Sequence, residues 1–531
     1  MTEHDVLDLR PAITQHLEQR LRAFHEGFRQ NLALVGPTGS GKTTVVSRVL
    51  SRFDGRFAKI ICPLQQDSPK AFLKRLACAV ASAAVPAAPG ESIEQLLVRV
   101  TTVAPKTAAV LERASGVAGH QSQIDGFVQV LDAVALLHQE LHKPCVLVLD
   151  EFLYLEHMGV SHAFHELGKR VMTWPFTLFI MTSSATSRAQ EILRERLHLL
   201  FGQFELISLG PVEPSAAVAW MDQQAPSLRP HPAIARFLLD WLGQSPWYLN
   251  VTLNRLQELA RLKRRPKMPE QALTHALWDL LGSADGALHQ WCAAQLERVV
   301  SHPHGVMARD ALLAVAQGAR TTQAVTQACG SRRVAAVALQ QLVEHDLLQR
   351  KGTCWVIADP LLACWLRAVL APAQTTHPEG RRTFERVIQE SWSRWSEAAD
   401  QSLATRIQSL LTKFQNETIA MDHKVGRLPV FDRIEARLPA DVSLQYVVAD
   451  GPERRWCCLV SDGRLDEAAV SAFEQFCRSQ VPRPVRKIVM ARHGFELNAK
   501  LLAKDANMWV WEPDDVNMVL MLYGQPPLSR S

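Results

Sequence analysis

One stretch of the chain, Gly36-Pro37-Thr38-Gly39-Ser40-Gly41-Lys42-Thr43-Thr44, has the residue types and spacing of a turn built around phosphate. The pattern G-x-x-x-x-G-K-[ST] is met at each fixed position from Gly36 to Thr43. The glycines let backbone N–H groups turn inward and surround anionic oxygens. A helix beginning at the end of the turn adds the partial positive charge of its N-terminus. In that arrangement Lys42 reaches the β- and γ-phosphates of a nucleoside triphosphate, and the Thr43 hydroxyl ligates Mg2+. A chance glycine turn would lack the flanking elements seen here, an apolar run at 31–36 and a helical pattern from 42 to 52.

A second group lies a hundred residues on. Val146-Leu147-Val148-Leu149 is an apolar run that ends in Asp150 and Glu151. Asp150 would hold the metal through its hydration shell, and Glu151 would orient and deprotonate the attacking water. Taken alone, this is equally a strand that happens to end in exposed acids; the phosphate turn upstream favours the chemical reading. A third element, Thr182-Ser183-Ser184, ends another apolar run. There Ser183 is placed as a nucleotide contact, against the alternative of an ordinary strand-to-loop transition. Together these residues suit ATP and Mg2+ and the chemistry of an ATPase.

The elements that must position them are strands at 31–36, 58–64, 145–151, 176–184 and 204–210, alternating with helices such as the long amphipathic run at 121–142. That alternation predicts an α/β fold, a P-loop NTPase parallel sheet with helices on both faces. After Pro214 the pattern is helical to about 290. Three short helices at 309–317, 321–329 and 332–345 follow, then a hairpin turning at Lys351-Gly352. This order suits a helix-turn-helix with a wing. Arg332 and Arg333 would open the third helix towards a DNA groove, and Arg350 and Lys351 would lie on the wing beside phosphates. The alternative is a packing module whose arginines are simply solvated. A helical connector covers about 376–420, where Trp392 to Trp395 suits packing, and strands alternate with helices again to the end. The expected division is 1–213 for the ATPase core, 214–290 for a helical lid and 291–372 for the winged helix. A connector at 373–425 and an α/β domain at 426–531 complete it.

Composition narrows the class. The 531 residues are 47% hydrophobic, which is ample for buried cores, and the net charge of +5 does not by itself argue for nucleic acid. None of the ten cysteines forms a C-x-x-C pair. That favours reduced thiols in the cytoplasm over disulfides or zinc. The acidic start MTEHDVLDLR has no apolar core of a signal peptide, and no apolar run is long enough to span a membrane.

Four further motifs, in order, carry a family resemblance. VLDEFLYL, Val148 to Leu155, carries an acidic element at Asp150 to Leu155, and MTSSATSRAQEIL begins at the end of the next strand. GQSPWYLN, Gly243 to Asn250, holds Pro246 and Tyr248, and IADPLLACWLRAVLAP runs from Ile357 to Pro372. With the phosphate turn, they make residues 31–372 resemble the archaeal-type ATPases, switch ATPases related to the AAA+ and STAND proteins. The resemblance implies an ATP-driven switch acting on DNA or a protein partner, including another copy of itself. It implies that Pro246 packs against the adenine or ribose, and that Arg188, Arg194 or Arg196 supplies an arginine finger, unless these only form a solvated helix face. It also implies a restriction-endonuclease-like domain after the winged helix. Such nucleases need acids and an E-x-K strand, yet Trp456-Cys457-Cys458-Leu459-Val460-Ser461 has neither glutamate nor lysine. No spaced lysine follows Asp432, Glu435, Asp450 or Asp462 either, so the domain is expected to bind rather than cleave. The competing expectations are an ATP-regulated DNA-binding protein resembling origin-recognition ATPases, and an ATP-gated nuclease.

Overall fold

In the N-terminal half, α1 (Pro11–His25) leads to β1 (Asn31–Val35) and α2 (Lys42–Ser51), and β2 (Ala58–Pro63) follows. Four helices intervene: α3 (Pro69–Ala84), α4 (Ile93–Thr101), α5 (Pro105–Ser115) and α6 (Gln123–Leu141). Then come β3 (Cys145–Asp150), α7 (Ala163–Thr173), β4 (Thr177–Ser183), α8 (Thr186–Glu195), β5 (Phe204–Ser208) and α9 (Pro214–Gln224). This computed structural model describes residues 8–528 except 116–122, 161, 196–202, 225–231, 243–244, 264–269, 302–303, 374–379, 422–423, 438–443, 453 and 482–483. The chain divides into two units, Met1–Trp220 with Gln244–Tyr248, and Met221–Gly243 with Leu249–Ser531.

The first unit is an α/β fold on a five-stranded parallel sheet, ordered β2-β3-β4-β1-β5. Both faces of the three inner strands β3, β4 and β1 are covered, which is why they are buried almost throughout, while the outer strands β2 and β5 are partly exposed. On β3, Cys145, Leu147 and Leu149 enter a core with α3, α5 and α6. Val146 and Val148 enter the opposite core with α1 and α2. The strand order decides where the chemistry lies. β1 and β3 flank β4, so the turn after β1 and the acids after β3 emerge from the same carboxyl edge of the sheet.

The second unit begins with helices: α10 (Pro232–Leu242), α11 (Pro246–Lys263), α12 (Glu270–Leu277) and α13 (Ala287–Val300). Next come α14 (Gly305–Ala316), α15 (Thr322–Cys329) and α16 (Arg332–Glu344), packed together and followed by the antiparallel hairpin β6 (Leu348–Lys351) and β7 (Cys354–Ile357). Then α17 (Pro360–Trp365) starts with Pro360 in its first turn and Asp359 accepting from the Leu361 N–H. It runs through a wider turn at Leu366–Leu370 into α18 (Ala371–Ala373). In α19 (Gly380–Ala399), Trp392 and Trp395 pack edge-on against Phe237 of α10, and Trp395 Nε1 donates to Asp240 at 2.9 Å. Packing is therefore the role these tryptophans have, as the sequence suggests.

After α20 (Leu403–Leu411) come the short ribbon β8 (Thr418–Met421) and β9 (Lys424–Arg427), then β10 (Arg433–Arg437), β11 (Leu444–Gly451) and β12 (Arg454–Ser461). The chain closes with α21 (Glu467–Ser479), β13 (Arg486–Ala491), α22 (Leu497–Asp505), β14 (Trp509–Trp511) and α23 (Pro513–Leu522). The sheet runs β10-β11-β12-β13-β14, an antiparallel meander followed by two strands parallel to β12. Trp456, Cys458 and Val460 fill the core on one face, Cys457 and Leu459 the core on the other.

The ribbon β8–β9 is absent from the sequence expectation, and it changes the standing of the hairpin β6–β7. The Thr353 N–H donates to the Thr418 carbonyl at 2.8 Å, and the Thr418 N–H donates to Thr353 Oγ1 at 3.1 Å. A Cβ on Gly352, whose φ is +68, would stand 2.3 Å from the Thr418 carbonyl oxygen, so only glycine lets the hairpin tip approach this closely. Cys354 of β7 belongs to the same core as α20 and β12. The hairpin tip is thus tied into the C-terminal sheet region.

Candidate active site

The phosphate turn is closed on itself. The Ser40 N–H donates to the Pro37 carbonyl at 3.1 Å, and Lys42 Nζ donates to the Gly36 and Pro37 carbonyls at 2.9 and 3.2 Å. The Gly36 N–H, bonded to the Ser183 carbonyl at 3.2 Å, pins the start of the turn to β4. Lys42 is only 5% exposed, and burial pushes its pKa down while Glu151 and Asp150 oppose the shift. Thr43 and Thr44, in the first turn of α2, are exposed, as is Pro37, and Thr38 is half-buried.

The two acids meet this turn as the strand order requires. Thr43 Oγ1 donates to both Asp150 oxygens, at 2.9 and 3.1 Å. Glu151 Oε1 stands 3.9 Å from Lys42 Nζ, and its Oε2 accepts from the Ser184 N–H at 2.9 Å. Glu151 also has a φ of +56, a left-handed backbone that a glutamate adopts at a cost and that turns its side chain away from the line of β3. Lys42, Thr43, Asp150 and Glu151 therefore share one site, with a cation, a hydroxyl and two carboxylates in reach of each other.

Ser183, by contrast, faces its own turn: its Oγ accepts from the Ala185 N–H at 3.1 Å. The β4 residue on the acid pair is Thr182, whose Oγ1 donates to Asp150 and accepts from the Glu151 N–H at 3.2 Å. Neighbouring strand residues point to opposite sides, which separates the two. Pro246 sits over the turn, its Cγ 3.8 Å from where a Cβ of Gly41 would stand. Arg188 is committed to ion pairs with Glu156 and Glu191 at 3.0 and 2.7 Å, which push its pKa up. Those contacts suit a structural arginine. The side chains of Arg194 and Arg196 lie outside the described residues.

Two side chains at the turn were not singled out from sequence. Arg10, 3% exposed, donates from Nε to the Ser40 carbonyl at 2.9 Å and from Nη1 to the Pro211 carbonyl at 3.3 Å. Burial pushes its pKa down to about 10, against the pull of Glu213 and Asp8. Ser245 donates to the Gly39 carbonyl at 2.9 Å. A Ser-Pro pair can mark a helix start, but nothing in the local pattern of either residue announces contact with a turn far away in the chain.

The donor set fits a metal-bound triphosphate. A hydroxyl beside a single carboxylate leaves room for water and phosphate oxygens around a small divalent ion, as Mg2+ requires. Among the described residues, buried Ser40 Oγ has no hydrogen-bond partner.

Residues 7–180 match the family model described as AAA ATPase domain. The first unit is thus built on an ATP-hydrolysing domain, and the chain is an ATPase. No curated protein matches this chain. Among solved structures it is similar to a Walker-type ATPase of Pyrococcus abyssi, at 16% identity and a TM-score of 0.48, covering 69% of this chain and 97% of that one. It is similar to the ORC2 protein of Aeropyrum pernix, solved with ADPNP and ADP, at 15% identity and a TM-score of 0.45, covering 73% and 96%. The ORC1 protein of the same organism, solved with DNA, gives 16% identity and a TM-score of 0.38, covering 73% and 93%. At those identities they speak to no further activity of this chain. No described helix is long and apolar enough to cross a membrane.

The carboxylates near the β12 strand are not gathered into a second site. Asp450 is held by Arg455 through both oxygens, at 2.5 and 3.0 Å. Asp462 pairs with Arg492 at 2.9 Å and accepts from the Leu403 N–H that opens α20 at 3.1 Å. Glu435 lies between Arg433 and Arg437. Asp432 is exposed, and its backbone N–H bonds the Asp450 carbonyl at 2.7 Å. Among the described residues, no group of three or more His, Cys, Asp or Glu side chains is arranged to hold a metal.

Proposed function

We propose that the protein is an ATP-driven switch. It binds ATP with Mg2+ in the turn Gly36–Thr44, and hydrolysis is driven by Glu151. Bound Mg2+ would neutralise charge between phosphate oxygens, held by Thr43 and Asp150. Lys42 would leave the loop carbonyls for the β- and γ-phosphates, and Glu151 would take a proton from the attacking water. Pro246 would cover the base or ribose. The helices from 214 to 290 act as a lid, and residues 291–372 as a winged helix. Residues 373–425 are a connector, and 426–531 are a nuclease-like domain used for binding. The observation that carries this is the meeting of Lys42, Thr43, Asp150 and Glu151 at one edge of the parallel sheet.

DNA is the output favoured by one surface. The first turn of α16 holds Arg332 and Arg333, both exposed, and no acid. Ala336, Val337 and Gln340 continue the exposed side of that helix with small apolar and amide groups, which suit base edges. The hairpin is a weaker candidate. Arg350 lies over the Trp355 ring and donates to the Gly352 carbonyl at 2.9 Å, while the tip is tied to Thr418. The test is duplex binding against salt, with and without ATP. Arg332→Ala with Arg333→Ala should flatten the log–log salt slope by about 1 per arginine lost. No binding at low salt in either nucleotide state would leave a protein partner as the target.

A nuclease output is disfavoured by β12, where Trp456 to Val460 are buried in two apolar cores at the positions that would need acids and a lysine. Purified protein with ATP and Mg2+ or Mn2+ should leave linear and supercoiled DNA intact on a gel. Cleavage that disappears on Asp432→Ala or Asp450→Ala would reverse this assignment.

A further inference from the structure

Ser245 occupies an unusual position. It is 2% exposed and stands immediately before Pro246, the first residue of α11. Its Oγ accepts from the Tyr248 N–H at 3.4 Å, the contact of a helix cap, and donates to the Gly39 carbonyl at 2.9 Å. A serine hydroxyl has a single proton, so that proton is committed to the phosphate loop for as long as Gly39 keeps this place. The approach is close. A Cβ on Gly39 would lie 2.6 Å from Ser245 Oγ, and Gly39 has a φ of +77. On the next residue of the loop, the Ser40 carbonyl is held by Arg10. The peptide after it is planar and trans, so turning that carbonyl to Arg10 turns the Gly41 N–H to the opposite side.

We propose that Ser245 is a positioning residue. By capping α11 and holding the Gly39 carbonyl with the same hydroxyl, it makes the order of the α11 start depend on the state of the phosphate loop. The first turn of α11 belongs with the ATPase unit and the rest of the helix with the second unit. A change in the loop on binding triphosphate therefore reaches the second unit through this cap, without any contact between Ser245 and nucleotide. The proposal rests on the ATP-site reading above.

The test uses the full chain as parent, Ser245→Ala, Ser245→Thr and Lys42→Ala. ATP affinity is read by calorimetry, turnover by phosphate release, and amide exchange over the start of α11 by mass spectrometry. ATP should slow exchange at the start of α11 in the parent and not in Ser245→Ala. Loss of one neutral hydrogen bond should raise KM for ATP about fivefold, with kcat within about twofold because the bond serves ground and transition states alike. Ser245→Thr keeps the hydroxyl and should restore both readouts. A folded Ser245→Ala with parental affinity and parental ATP-dependent protection overturns the proposal. So does a variant with a lower melting temperature, equal losses in kcat and kcat/KM, and no restoration by threonine, because that is a simple cap. Lys42→Ala separates the two readings. If it binds ATP as the parent does, the ATP-site reading fails; if it loses ATP while Ser245→Ala behaves as parent, only the proposal for Ser245 fails.

Discussion

Lys42→Ala is expected to weaken ATP binding by about tenfold or more, the cost of losing a charge-assisted contact to phosphate in a buried setting. The lysine is already desolvated and held 2.9 Å from the Gly36 carbonyl and 3.9 Å from Glu151. Its ammonium therefore meets a phosphate with little further dehydration. The substitution has a second effect inside the turn, because the Gly36 and Pro37 carbonyls lose their donor. Calorimetry of the purified variant, alongside its melting temperature, distinguishes loss of the site from loss of the fold. Unchanged affinity in a folded variant would remove this turn as the nucleotide site.

Glu151→Gln should behave in the opposite way, with ATP binding retained and hydrolysis reduced at least tenfold, a lower bound set beneath the roughly hundredfold or more that a general base contributes. The amide oxygen can still accept from the Ser184 N–H, which the carboxylate does at 2.9 Å, so the local backbone is preserved. What disappears is the negative charge facing Lys42 and the ability to take a proton from water. Freed of that charge, Lys42 is at least as available to phosphate as before. Phosphate release under single-turnover conditions is the measurement, and a rate equal to the parent's would exclude Glu151 as the base.

Those two substitutions fall on residues that sequence alone marks, and the reason is local. A phosphate turn needs its glycines and lysine at fixed spacing, and a strand buried on both faces that ends in acids stands out from its surroundings. The alternation of apolar runs with helices likewise shows the parallel sheet. Other parts were hidden for physical reasons. Strand β10, Arg-Ile-Glu-Ala-Arg, is an edge strand whose charged residues guard against further pairing and mask its pattern. The ribbon β8–β9 is four residues a side and is fixed by tertiary contact with Thr353. Helices α4 and α5 lie in the stretch before 120 that reads least clearly, although Ser92 and Gln95 form a capping box at the start of α4. Thr182, Arg10 and Ser245 reach the site only through contacts between distant segments, and no spacing rule announces such a contact. Which of Thr182 and Ser183 meets Asp150 depends on which side of β4 faces it, and that depends on how the strand pairs with β3.

The order β2-β3-β4-β1-β5 also sets a sequence of events for a chain emerging from synthesis. β1, with the phosphate turn attached, is made before the other strands of its sheet. Its hydrogen-bonding neighbours are β4 and β5, with Leu32 opposite Ile180 and Asn31 opposite Phe204. Strands β2 and β3 can pair with each other earlier, but they offer β1 no edge. Closing so long a loop between β1 and its partners costs chain entropy before any pairing is gained, and such high contact order slows folding. A chain stopped short of residue 204 would carry the whole phosphate motif on a strand with one edge still bare.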